Sequence, residues 1–296
     1  LHDVLYPGTT LALAALRRRP RPVLLTQHVG FVPFPGPVLN GLQRLAYRTL
    51  GRWNLKRVGA VAWYNERAVD WLREACGLSR PTVYLPNGVD TERFSPVESG
   101  LPAPEGGRRR IVVPRRLFEK NGVEYAVRAL PLITANRDVE MLFIGDGPER
   151  ERLERLASEL GVSDRAVFLG RRPNTEMPGL LRSAELALFP SLMEATSVAA
   201  LECLSCEVPV AASNVGGLPE IIDDGVGGLF EPADPESLAR RVTELLSRED
   251  LARRGLEGRR RVVARWSNRR LAERHLEIYR RQLSGNRRLA HATESA

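Results

Sequence analysis

Past residue 108, short runs of β-branched and other apolar residues alternate with longer segments whose apolar positions fall at helical spacing. That alternation restricts the chain to a parallel α/β sheet with helical crossovers. The runs predict strands over residues 111–114, 140–144, 167–169, 186–189 and 208–212. Between them Val123, Val127, Leu130 and Ile133 make one apolar stripe, and Leu153, Leu156 and Leu160 make another before Gly161 closes the helix. The first ninety-odd residues give strands over 23–26, 58–63 and 83–85 and helices around 40–50 and 66–76, about half of a Rossmann-like domain. Residues 95–107, with three prolines and three glycines in thirteen positions, predict a linker. After Asp234 the chain turns mostly helical, with a last helix around 266–283 and a polar tail from about Ser284.

With 296 residues, 43% of them hydrophobic, the chain has the length for two modest globular domains. No apolar run approaches the roughly 20 residues of a membrane span; the best, Leu11 to Leu16, runs into Arg17, Arg18 and Arg19. The chain opens at Leu1, and its order of apolar then basic residues is the reverse of a secretory signal, so a truncated start is expected. Three cysteines, Cys76, Cys203 and Cys206, are too few for a disulfide framework and point to a reducing cytoplasm. The CxxC at 203–206 lies in the helix-like AALECLSC with no second such pair or histidine near it, which predicts small buried thiols rather than a metal site. The net charge of +8 suggests anionic partners. Of the 44 basic residues only Lys56 and Lys120 are lysines, which singles out any lysine at a loop with chemistry to do.

The most specific stretch is PSLMEATSVAALE, in which a strand ending near Phe189 gives way to a loop carrying Glu194 and then to a helix beginning at Thr196 or Ser197. Glu202 follows Glu194 by eight residues and sits in the apolar AALECL, where a carboxylate needs hydrogen-bonding partners such as vicinal sugar hydroxyls. The helix start offers free amides and a positive dipole end to a phosphate, at the carboxyl edge of a parallel sheet. One of its two hydroxyl residues is expected to serve as the N-cap.

Glu194 and Glu202 resemble the Ex7E motif of the large group of retaining glycosyltransferases with the GT-B fold often called family four. NGVDTERFSP at 87–96, FIGDGPERERLERLASELG at 143–161, VFLGR at 167–171 and GGLPEIIDDGVGGLF at 216–230 resemble stretches of the same family in the same order. The likeness is good over roughly 80–285 and loose before that. It implies a GT-B architecture, two Rossmann-like domains facing across a cleft with the first incomplete. The expected parts are a partial acceptor-side domain over 1–95, a domain binding the donor nucleotide-sugar over 96–265, and over 266–296 a helix packing back toward the first domain, followed by the tail.

The resemblance further implies that Glu194 contacts the hydroxyls of the donor sugar, that Glu202 holds the ribose, and that the amides of Ala195, Thr196 and Ser197 face the diphosphate. Arg116 and Lys120 would neutralise the diphosphate leaving group, with Lys120 one place earlier than the usual lysine, whose position Asn121 occupies. Gly145, Leu169 and Arg171 fall in stretches expected to line the nucleotide, and His28, at the end of the strand LLTQH, would lie near the sugar. EATS stands where many relatives have EGFG, a bulkier loop. The resemblance also implies that the donor is a nucleotide-diphosphate sugar, that no metal or other cofactor is required, and that the product keeps the anomeric configuration. Arg17 to Arg19 with Arg21 suggest peripheral membrane contact and a lipid-linked acceptor, as in cell-surface polysaccharide or glycolipid synthesis at the inner face of the membrane. A nucleic-acid partner is not expected, because the arginines are dispersed as pairs and no aromatic RNA-binding signature occurs. The rival reading is a basic binding module without catalysis, attached to anionic lipid or nucleic acid.

Overall fold

The computed structural model describes residues 1–18, 21–28, 30–64 and 66–284; the expected polar tail, His291 and Arg19 of the basic cluster lie outside the described residues. The chain divides into two compact units, one of Leu1–Asn87 with Leu271–Ala296 and the other of Gly88–Arg270.

Unit one contains α1 (Pro7–Ala15), β1 (Leu24–Gln27), α2 (Pro37–Ala46), a π turn over Tyr47–Gly51, α3 (Arg52–Leu55), β2 (Ala60–Trp63), α4 (Glu66–Cys76) and β3 (Thr82–Tyr84). Its three strands pair in parallel in the order β1-β2-β3. Val4, Leu13, Leu25, Val61 and Leu72 are buried together on one side of the sheet, while Leu24, Ala60, Ala62 and Leu85 gather on the other around Ile278.

Unit two contains β4 (Arg109–Val113), α5 (Val123–Thr134), β5 (Val139–Ile144), α6 (Arg150–Glu159), β6 (Ala166–Gly170), α7 (Met177–Arg182), β7 (Leu186–Phe189), α8 (Val198–Ser205), β8 (Val210–Ser213), β9 (Gly227–Phe230), α9 (Pro235–Leu246) and α10 (Leu251–Arg265). A last helix, α11 (Asn268–Leu283), starts here and ends in unit one. All six strands are parallel, in the order β6-β5-β4-β7-β8-β9. Alternation along the strands sorts the core into two layers. Ile111, Val113, Met141, Phe143, Leu186 and Leu188 face the layer that includes the α5 stripe and α9, whereas Val112, Leu142, Ile144, Ala187 and Phe189 face that of α7 and α8. Asp234 caps α9 through a 2.8 Å bond from the Ser237 amide to Oδ1, which is why the chain turns helical there.

Three expectations differ from what is seen. The strand read as 208–212 begins at Val210, because Pro209 has no N–H to give the ladder. β9 was not anticipated, since its Gly227 and Gly228 are poor strand formers; it exists because it pairs along β8 from Val210 to Ser213. Proline and glycine over 95–107 mark irregular chain rather than a boundary. Phe94 is buried in unit two, the Gly100 amide donates to the Gly179 carbonyl at 2.8 Å, and the division falls at Asn87.

Among the described residues no helix is long and apolar enough to cross a membrane. Cys203 and Cys206 are free, fully buried thiols, and burial pushes the Cys206 thiol up to about 12.

Candidate functional site

From β4 the sheet of unit two grows to β5 and β6 on one side, and to β7, β8 and β9 on the other. The strand order reverses between β4 and β7, and in open parallel sheets the crevice beyond the carboxyl ends at that reversal is where ligands bind. The loops emerging there are residues 114–122 after β4 and 190–197 after β7.

They are fastened together. Main-chain amides of Leu192 and Met193 both donate to the Lys120 carbonyl, at 3.0 and 3.2 Å. Across them Arg115 Nη2 lies 2.8 Å from Glu194 Oε2, with both side chains largely buried. The same Nη2 donates to Asn121 Oδ1 at 2.8 Å, and Asn121 Nδ2 donates to the Arg116 carbonyl at 2.7 Å. The ion pair is not an aligned hydrogen bond: Oε2 has no such partner, and Arg115 Nε, Ser191 Oγ and Thr196 Oγ1 are likewise buried without one. Buried polar atoms without partners, two in the ion pair and two on the loop after β7, are costly unless a bound group completes them.

Ser197 is the N-cap of α8, its Oγ accepting from the Ala200 amide at 3.3 Å, while the Thr196 hydroxyl remains free of that duty. Ser197→Ala should therefore cost about 1 kcal/mol in urea unfolding. Thr196→Ala should not lower the unfolding midpoint, since the hydroxyl it removes is buried with no hydrogen bond to lose. Glu202, four residues into α8, is partly buried, and burial pushes its carboxyl up to about 7. Gly216, at φ +57°, lies against the Glu194 carbonyl, where a Cβ would come within 1.5 Å. Ala195 has the same relation to Gly217, a Cβ there falling 2.4 Å from the Ala195 carbonyl oxygen.

The remaining expected residues are more scattered. Arg116 and Lys120 are exposed and stand outside the ion pair, the Arg116 guanidinium 5.6 Å from the centre of the Phe118 ring. Gly145 backs the β4 loop, a Cβ there falling 2.2 Å from the Arg115 carbonyl oxygen. Leu169 lines an open cavity of about 650 Å³ with Arg172, Thr175 and Glu176, and Arg171 beside it is exposed. His28 is in unit one, just after β1; its Nε2 is 2.8 Å from His2 Nδ1 and its amide donates to Asp3 Oδ1 at 2.8 Å. Burial holds its imidazole below the usual histidine range, with Asp3 pulling the other way. Among the described residues no group of three or more histidine, cysteine or acidic side chains is close enough together to hold a metal ion. Arg115 was not anticipated as a site residue: its neighbour Arg116 carried the family likeness, and the only local hint was a second arginine beside it.

Solved structures share this fold. Sucrose-phosphate synthase from Thermosynechococcus elongatus matches with a TM-score of 0.77 at 24% identity, over 93% of this chain and 72% of that one. Anabaena Alr3699/HepE in complex with UDP matches with a TM-score of 0.77 at 19% identity, over 94% and 76%. The fold is therefore of the GT-B class. Residues 101–261 match the family model described as Glycosyl transferases group 1, and residues 1–93 match Glycosyltransferase Family 4. The chain belongs to the group 1 glycosyl transferase family. Among curated relatives, a 2-deoxystreptamine glucosyltransferase of Streptomyces kanamyceticus is 33% identical over 72% of this chain. A GDP-mannose-dependent alpha-(1-6)-phosphatidylinositol monomannoside mannosyltransferase of Mycolicibacterium smegmatis is 30% identical over 80% of it. The chain spans 57% and 66% of the length of these two relatives.

Proposed function

We propose that the protein is a retaining glycosyltransferase that moves a sugar from a nucleotide-diphosphate donor to an acceptor hydroxyl. The observation that carries this reading is the pair Glu194 and Glu202, held on either side of the α8 N-terminus at the point of strand reversal. One of these carboxylates has an oxygen without an aligned donor, and the other is pushed up to about 7 by burial. Both are suited to accept from hydroxyl groups. In this reading Glu194 takes hydroxyls of the donor sugar and Glu202 those of the ribose, while the amides of Ala195, Thr196 and Ser197 and the open Thr196 hydroxyl meet the diphosphate. The bond from the anomeric carbon to the diphosphate breaks with its electron pair leaving on the phosphate oxygen, and the acceptor oxygen takes its place on the same face, its proton passing to that departing oxygen. Arg116 and Lys120, exposed on the β4 loop, supply positive charge to the departing diphosphate without a metal, an electrostatic role in which each well-placed donor is worth about 3 kcal/mol of barrier. Gly145, Leu169 and Arg171 fall on the nucleotide side, and His28 on the sugar side.

A lipid-linked acceptor and contact with the inner face of a membrane are supported by unit one. Between Asp3 and Glu66 the chain has nine basic residues and no acidic one. On α2, Val38, Leu39, Leu42 and Leu45 share one helical face and are each more than half exposed. An apolar face within so positive a segment suits an anionic bilayer surface.

The test is a titration with UDP, GDP, ADP and their sugars, followed by thermal unfolding. One nucleoside diphosphate should raise the midpoint, and Glu202→Ala should abolish the rise while the protein remains folded. No response to any of them, with binding to anionic vesicles intact, would favour the binding module without catalysis.

A further inference from the structure

The expected cations of the site, Arg116 and Lys120, do not touch either carboxylate, whereas Arg115 does. Its guanidinium sits opposite Glu194 at 2.8 Å, and the two side chains are only 11% and 15% exposed. The pair spans two loops that follow neighbouring strands, β4 and β7. Arg115 is itself held in place. Asn121 accepts from Nη2 at 2.8 Å and is anchored in turn on the Arg116 carbonyl at 2.7 Å. The guanidinium also lies 5.6 Å from the centre of the Phe189 ring, the last residue of β7.

We infer that Arg115 is the positioning residue for Glu194, and that Asn121 orients Arg115; the inference rests on the reading of Glu194 as a contact to the donor sugar. A carboxylate taken this far out of water is favoured by a counter-charge beside it. Arg115 provides it without capping the oxygen, since Oε2 lies close to Nη2 yet has no aligned hydrogen bond. The carboxylate is thus fixed in direction beside its counter-charge, with hydrogen-bonding capacity left for a ligand hydroxyl. A fully bonded fork would have consumed that capacity. Asn121 takes one of the two Nη2 hydrogens at 2.8 Å and so sets the direction in which the guanidinium faces Glu194.

The experiment measures, by calorimetry, the affinity of the protein for the preferred nucleotide sugar and for its nucleoside diphosphate; the ratio isolates what the sugar contributes. Glu194→Ala should bring that ratio close to one. Arg115→Ala should lower it at least fivefold while changing nucleoside diphosphate affinity less than threefold. Arg115→Lys should restore most of it, and Asn121→Ala should give an intermediate loss. In parallel, unfolding of the single and double Arg115→Ala and Glu194→Ala variants without ligand should be non-additive, as for a coupled pair. A fall in nucleoside diphosphate affinity equal to the fall for the sugar would place Arg115 on the diphosphate itself and overturn the positioning role. An unchanged ratio in Arg115→Ala, where Glu194→Ala loses it, would overturn it too. A Glu194→Ala variant that keeps the full ratio would instead sink the sugar contact, even with the unfolding cycle still coupled.

Discussion

Glu202→Gln is expected to stabilise the protein at pH 8, to leave stability unchanged at pH 4.5, and to weaken nucleotide binding most at high pH. Burial raises the Glu202 carboxyl from 4.5 to about 7. A carboxyl raised on folding binds its proton more tightly in the folded state, so it costs nothing below its unfolded value. The cost grows as pH rises from about 4.5 and is complete above about 7. The displacement corresponds to about 3 kcal/mol at most, and partial exposure lowers this to roughly 2 kcal/mol. Glutamine keeps the shape and removes the charge. Ligand hydroxyls prefer the ionised form, so nucleotide binding to the parent chain should tighten between pH 5 and 8 and release a proton near neutrality. Unfolding by urea at the two extremes, and calorimetry in buffers of different ionisation enthalpy, check both halves. Equal nucleotide affinity of parent and variant at pH 8 would show that Glu202 is satisfied within the protein.

Gly216→Ala is expected to be the most damaging single methyl that can be added near the site. At φ +57° an alanine is strained by about 1–2 kcal/mol. Its Cβ would also fall 1.5 Å from the Glu194 carbonyl oxygen, so the main chain of that loop has to move. Together these should cost at least about 3 kcal/mol. The displaced loop carries Glu194, and binding of the donor should fall with stability. Gly161→Ala is the control, because that residue is also left-handed, at φ +68°, but has nothing within 4 Å of the added carbon. It should show the strain alone, about 1 kcal/mol. If the two variants unfold at the same denaturant concentration, the loop near Glu194 yields easily and its geometry is not set by Gly216.

What could be read from the residues in advance was whatever is encoded locally. The strands of unit two are short apolar runs, and the α5 stripe repeats at helical spacing, so both stand out without knowledge of their neighbours. Glu202 was legible because a carboxylate in an apolar helix contradicts its own surroundings, and such contradictions gather at functional sites. The pair Arg115 and Glu194 was not legible in this way. Its partners come together only because β4 and β7 are neighbours in the sheet, a fact of topology that no window of sequence contains. β9 failed for a related reason: its pairing is supplied by β8 rather than by the propensity of its own glycines. The proline-rich segment was legible as irregular, yet its packing on unit two through Phe94 and Gly100 depends on residues far along the chain.

Ile278 on α11 covers Leu24, Ala60, Ala62 and Leu85, and this has a consequence for the order in which the protein matures. Unit two is one uninterrupted stretch, whereas unit one is completed by residues that follow it in the chain. During synthesis the stretch Gly88–Arg270 can close its core as soon as it leaves the ribosome. The earlier sheet must meanwhile wait for Ile278 to complete one apolar face, for on the order of ten seconds at usual rates of elongation. Of the two units, the one translated later is thus the first able to finish, and until Ile278 emerges that face of the earlier sheet lacks one of its covering residues.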